Sequence, residues 1–155
     1  MNKRILWFTV SALSVAILAG CSTRIGDFTL ISTKNVDIGG KFKKVDRYSA
    51  EDSKAMILSI PLGIPSLKTA VDRCIEKGKG YFLTDAVLES SFWWVILYGE
   101  QKYTVTGDVW TKADVSDLVN PNLDLYELQA GPTGYQLVSM NDPVKRIRVE
   151  YLVSN

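Results

Sequence analysis

Histidine is absent from all 155 residues. That removes the side chain that most often serves as general base and as metal ligand near neutral pH. Ser-His-Asp and Cys-His nucleophile systems are excluded with it. A zinc centre would have to rest on carboxylates alone, which is rare. An excess of one charge is missing too: 18 Lys and Arg stand against 17 Asp and Glu, a net charge of +1. Such a balance gives no general attraction to nucleic acid. The densest basic clusters, Lys41-Phe42-Lys43-Lys44 and Lys145-Arg146-Ile147-Arg148, read as solvated strand faces. No Gly-rich phosphate loop is present, because Gly78-Lys79-Gly80 follows a helical pattern instead of opening one. Neither a metal nor a cofactor is expected, and no catalytic residue is assigned; the chain reads as a non-enzyme.

Cysteine is scarce, with two residues, Cys21 and Cys74. The first closes the most informative segment. Lys3 and Arg4 supply a positive start, and Leu6 to Leu18 is an apolar run broken by Thr9, Ser11 and Ser14. Leu18-Ala19-Gly20-Cys21 ends it. A spanning helix needs roughly 20 apolar residues. This run is shorter, and it ends in small residues and not in a basic flank. It has the form of a secretory signal. The motif resembles the lipobox of bacterial lipoproteins. The resemblance implies a thiol acylated at Cys21 and cleavage just before it. Ser22 stands where such lipoproteins carry Asp when retained at the inner membrane, so the resemblance implies an outer-membrane address facing the periplasm. Several acyl chains acting together make a strong anchor, where one alone is marginal. The expected division is therefore a signal peptide at 1–20, a lipidated tether at 21–26, and a single domain at 27–155. If lipid consumes Cys21, Cys74 is left without a disulfide partner.

The cleanest element of the mature chain is a helix. Ser66 is a good N-cap. Leu67, Ala70, Val71, Cys74 and Ile75 then fall on one apolar stripe, and Gly78 and Gly80 stop it. Cys74 lies on that stripe. It reads as a buried small hydrophobe, with a reactive thiol beside Arg73, Lys77 and Lys79 as the alternative. Strands are expected at 27–36, 41–48, 55–60, 81–89, 92–98, 101–110, 123–129, 135–140 and 144–153, with a short helix at 112–119. Gly99-Glu100 is expected to be the turn joining the aromatic strand to the alternating strand after it. The sum is an α+β fold: an antiparallel sheet with one main amphipathic helix packed on it, after a cleaved signal peptide.

The order Ile64-Pro65-Ser66-Leu67, amphipathic helix, Gly78-Lys79-Gly80, strand, aromatic strand, Tyr98-Gly99, Tyr103-Thr104-Val105-Thr106-Gly107 resembles small bacterial lipoproteins, among them the tRNA-associated-locus-like group. The resemblance spans residues 18–110. It implies a lipidated cysteine and carries no activity or catalytic residue with it.

Two acidic features are read as structural. Asn120, Asn122 and Asp124 alternate as the first ligands of a calcium loop do. The sixth and twelfth places hold Leu125 and Gly131 in place of Gly and Glu, so a polar turn is expected. Glu51 and Asp52 read as solvated. The aromatic residues Trp93, Trp94, Tyr98, Tyr103 and Trp110 form the candidate interaction surface. Successive strand side chains diverge, so Trp93 and Trp94 are expected on opposite faces, one in the core and one on a contact surface. The leading expectation is a membrane-anchored envelope lipoprotein that binds a protein partner or the cell wall. The alternative is a small-molecule carrier with a pocket lined by Trp93 or Trp94, Tyr98 and Tyr103.

Overall fold

The computed structural model describes residues 21–132 and 134–150. The expected signal peptide at 1–20 lies outside them. The elements in order are β1 (Cys21–Ile31), β2 (Lys41–Ile57), β3 (Ile60–Pro61), α1 (Leu67–Lys77), β4 (Phe82–Val95), β5 (Tyr98–Lys112), α2 (Val115–Leu118), β6 (Leu125–Gly131), β7 (Gly134–Ser139) and β8 (Arg146–Glu150). All pairings are antiparallel, and the strands run in the order β1-β4-β5-β2-β6-β7-β8, with β3 paired to β2 off that path.

The expected α+β class is overturned. Strand makes up 59% and helix 12% among the described residues, so this is a mostly-β protein and not a sheet partnered by one main helix. The physical reason is strand length. Segments expected to be separate join into strands of 17 and 14 residues, and the strand expected at 101–110 lengthens to 15. Long strands twist, and these carry register shifts between Arg24 and Gly26, Lys44 and Arg47, and Thr84 and Val87. An extra residue bends a strand and sharpens its twist. Asp85 takes that place in β4 with φ 49°, a conformation Asp tolerates better than most residues. Laid flat, the two ends of a seven-strand path would sit about 29 Å apart at ~4.8 Å per strand. Instead β1 and β8 approach within 8 Å between Cα atoms. The sheet has rolled almost shut.

Rolling creates two cores. Inside the roll, Phe42, Phe82, Trp110, Tyr126, Leu128 and Leu137 pack together. Outside it, α1 lays Ala70, Val71, Cys74 and Ile75 on Ala50, Leu83, Ala86, Leu88, Val105 and Val109. The helix begins where its stripe starts. The Ser66 side chain accepts from the Thr69 N–H. The Ser66 N–H in turn donates to Asp52 at 2.8 Å, and Arg73 pairs with the same carboxylate at 3.0 Å. Asp52 is 3% exposed, so the reading of Glu51-Asp52 as solvated fails for Asp52. Glu51 is exposed and pairs with Lys102.

Two further expectations change. Cys21–Gly26, expected as a tether, is the first half of β1 and pairs with Phe92 to Leu88 of β4. The β4–β5 turn is made by Ile96 and Leu97, and Gly99 lies inside β5 opposite Trp94. Gly99 serves close approach: a Cβ there would strike the Trp94 ring and come within 2.7 Å of the Trp93 carbonyl oxygen. Gly99→Ala should therefore lower stability by about 1–3 kcal/mol through overpacking, read as a lower midpoint in thermal melts. An unchanged midpoint would show that Trp94 is free to swing away.

Candidate functional site

Among the described residues no ladder joins β1 to β8, and a cavity of about 580 Å³ opens along that seam. Phe28 of β1, Trp110 of β5, Tyr126 of β6 and Ile147 of β8 supply its apolar lining. Trp110 is fixed from three sides. Its ring stacks on Phe82 at 6.0 Å and meets Tyr126 edge-on at 5.1 Å. Its indole N–H donates to Thr84 Oγ1 at 2.8 Å. A second cavity of about 490 Å³ shares Asp27, Phe28 and Thr29 and continues along the seam past Leu30, Val36 and Val149. Both volumes lie in the range of small-molecule sites.

Charge rings the first cavity in matched pairs. Asp108 takes Lys44 at 2.7 Å and Arg47 at 3.4 Å, and Arg47 also reaches Asp85 at 2.7 Å. The two bulges place Arg47 and Asp85 beside the same β5 residue. Asp124 pairs with Lys145 at 3.1 Å. A hydrogen bond with Tyr126, and then the one with Asp124, push the Lys145 ammonium up to about 12. Asp27 pairs with Arg24. Arg148 is exposed at the rim and has no partner among the described residues. The arrangement can hold an amphipathic molecule whose negative end meets Arg148, since apolar walls with a few polar groups set both affinity and orientation. Among the described residues no group of three or more metal-ligating side chains is gathered in one place. The Asn120 to Asp124 segment is a turn in which the Asn122 N–H donates to the Asn120 side chain.

The residues singled out in the sequence do not form one surface. Trp110 is 1% exposed, so its place on an interaction surface is corrected: it is a core residue. Tyr103 is half-buried against the core under α1. Trp93 and Trp94 are both half-buried, and neither joins a core cluster, so the expected division into one core and one surface ring fails. Both sit where β4 and β5 project beyond the layer that α1 covers. Trp93 donates its indole N–H to Glu100 at 3.2 Å and leans on Tyr98 at 5.4 Å. Trp93, Trp94, Tyr98 and Tyr103, the residues expected to line a carrier pocket, line neither of the two seam cavities. Cys21 is exposed at the start of β1.

The seam cavity leaves no local trace in the sequence because its residues come from six strands far apart in the chain. The neighbourhood of Cys21 did carry a signal. The chain from Ala55 to Leu67 and from Ser90 to Gly99 holds no charged residue at all. No family model, curated protein or solved structure matches the chain.

Cys74 is fully buried, and its thiol donates to the Tyr48 carbonyl at 3.3 Å. Burial pushes its pKa up from the ordinary thiol value. The neutral thiol is thus favoured by folding. Its contribution is complete below the unfolded thiol pKa of about 8.5 and is lost as pH rises above that value. Cys74 in the native protein should resist maleimide at neutral pH and react only on unfolding, and thermal stability should decline on the alkaline side. Rapid native labelling would overturn the buried assignment.

Proposed function

We propose that the chain is a lipid-anchored protein of the bacterial cell envelope that works by binding and not by catalysis. The observation that carries the reading is Leu18-Ala19-Gly20-Cys21 together with the exposure of Cys21 at the first position of β1. A thiol there is open to an acylating enzyme and needs no unfolding. The lack of histidine and the pairing of each cavity carboxylate with a cation support a non-catalytic role, because a general acid or base needs a group free to exchange its proton. Ser22 fits an outer-membrane location facing the periplasm. The partner classes are an envelope protein or the cell wall. Labelled palmitate should enter the wild-type protein, and Cys21→Ala should abolish the label. A labelled, normally maturing Ala variant would remove the basis of the reading.

The seam cavity favours a second reading, a small-molecule carrier. Its pocket would be the one lined by Phe28, Trp110, Tyr126 and Ile147 and not the aromatic one first expected. A dansyl-labelled fatty acid should then bind saturably with a stoichiometry near one. Ile147→Trp, which fills the cavity, should weaken it at least tenfold while the fold persists. Equal binding by the two proteins would discard the carrier reading.

A further inference from the structure

One end of the sheet is apolar and uncovered. Of the eighteen exposed large hydrophobic side chains among the described residues, nine lie there: Ile57, Leu58, Ile60, Leu62 and Ile64 around the β2–β3 hairpin, and Phe92, Ile96, Leu97 and Tyr98 around the β4–β5 hairpin. The two hairpins form a single ledge. Ile57 pairs with Tyr98, and the Leu58 N–H donates to the Leu97 carbonyl at 2.8 Å. The ledge carries no charged residue between Ala55 and Leu67 or between Ser90 and Gly99. Soluble monomers rarely expose a contiguous apolar surface of this kind without a use for it.

The turns themselves are built against local preference. Leu58 and Ser59 have φ of 52° and 65°, and Ile96 has φ of 49°. Gly or Asn is the usual choice at such positions, and a β-branched residue with positive φ is a true outlier. Ile96 is 83% exposed and Leu58 is 61% exposed, so intramolecular packing does not repay the strain. Strain of this kind persists where function holds it.

The position of Cys21 names the occupant. Cys21 pairs with Phe92, and β1 runs away from the ledge, so its first residue faces the ledge end. The hairpin tips extend four to five residues past Phe92, a reach of about 15 Å at ~3.4 Å per residue. With Cys21 already in β1, no slack separates the anchor from the domain. We propose that this ledge lies in the interfacial layer of the bilayer that holds the Cys21 acyl chains, so that the domain is seated on the membrane and not merely tethered to it. The proposal rests on the lipoprotein reading above. Trp93, Trp94 and Tyr98 then stand at headgroup depth, where amphipathic rings are favoured. The strand ladder β4-β5-β2-β3 satisfies the backbone within the ledge, as an apolar setting demands.

The test uses the full chain purified from envelopes and reconstituted in phosphatidylethanolamine–phosphatidylglycerol vesicles whose acyl chains are brominated near the headgroup. Wild type is compared with the Leu58→Asn, Ile96→Asn double variant, which puts residues suited to positive φ at both tips. Palmitate labelling and thermal midpoint are measured on both. The expected result is tryptophan quenching in the wild type, at least halved in the double variant, with equal palmitate label and a midpoint no lower. Labelled wild type without quenching overturns the proposal and leaves the ledge to a protein partner. Equal quenching in the two proteins overturns it as well. Ledge-dependent quenching without palmitate label would keep the membrane-facing ledge and remove the lipid anchor, so the two readings fail separately.

Discussion

The burial of Trp110 is the constraint from which the rest of the structure follows. It sits near the end of β5, the strand that pairs with both β4 and β2. Its ring cannot be covered by a flat sheet, and no helix lies on that side among the described residues. It is covered because β6, β7 and β8 continue past β2 and turn back, bringing Tyr126 edge-on to the indole. The Thr84 hydroxyl satisfies the indole N–H inside that enclosure. An unpaired N–H there would cost on the order of 1–3 kcal/mol. The enclosure brings β1 and β8 together, and the seam cavity opens between them, where no ladder joins the two strands among the described residues. Fold and candidate site thus have one cause.

The same curvature sets the outside of the molecule. Bulges at Asp85 and ahead of Arg47 bend the neighbours of β5 and bring Arg47, Asp85 and Asp108 together. On the opposite face the sheet offers Val105, Val109 and Leu83 to α1. The helix is short, and its packing alone does not set its direction. Asp52 does that: buried in β2, it holds both the Ser66 N–H at the helix start and Arg73 two turns on. One carboxylate fixes where α1 begins and how it lies. Beyond that point α1 gives no cover, and the hairpins project bare.

How much of this the sequence disclosed depends on the range of the interaction concerned. The helix was legible because Leu67, Val71, Cys74 and Ile75 repeat within one element, and its N-cap is local. The burial of Trp110 is hidden because alternation along β5 puts it on the face of Thr106 and Asp108, whose residue types are those of a solvated face; only the return of β6 turns the end of that face inward. Gly99 has the residue type of a turn, yet it lies within β5 and makes room for Trp94. The true turns, Leu58-Ser59 and Ile96-Leu97, contradict turn chemistry, so no local rule could find them. Asp52 looked like any surface acid beside Glu51. Its partners lie 14 and 21 residues away on another element, and pairing at that distance leaves no periodic trace.

Local disagreement is itself informative. A chain whose turns ignore turn preference must hold those residues for a reason outside the turn. Packing is not the reason at Ile96, which faces away from every core cluster. Three of the four turn residues, Leu58, Ile96 and Leu97, are apolar, and neither Gly nor Asn is used. The charges begin below the tips, at Lys54 and Glu100, and continue through Glu51 and Lys102 toward Asp108 and Lys44. The domain therefore has a polar body and one apolar end. The strand that opens with Cys21 starts at that end. Polarity along the sheet, strain at the tips and the place where the chain enters agree on one orientation, and each is set by different residues.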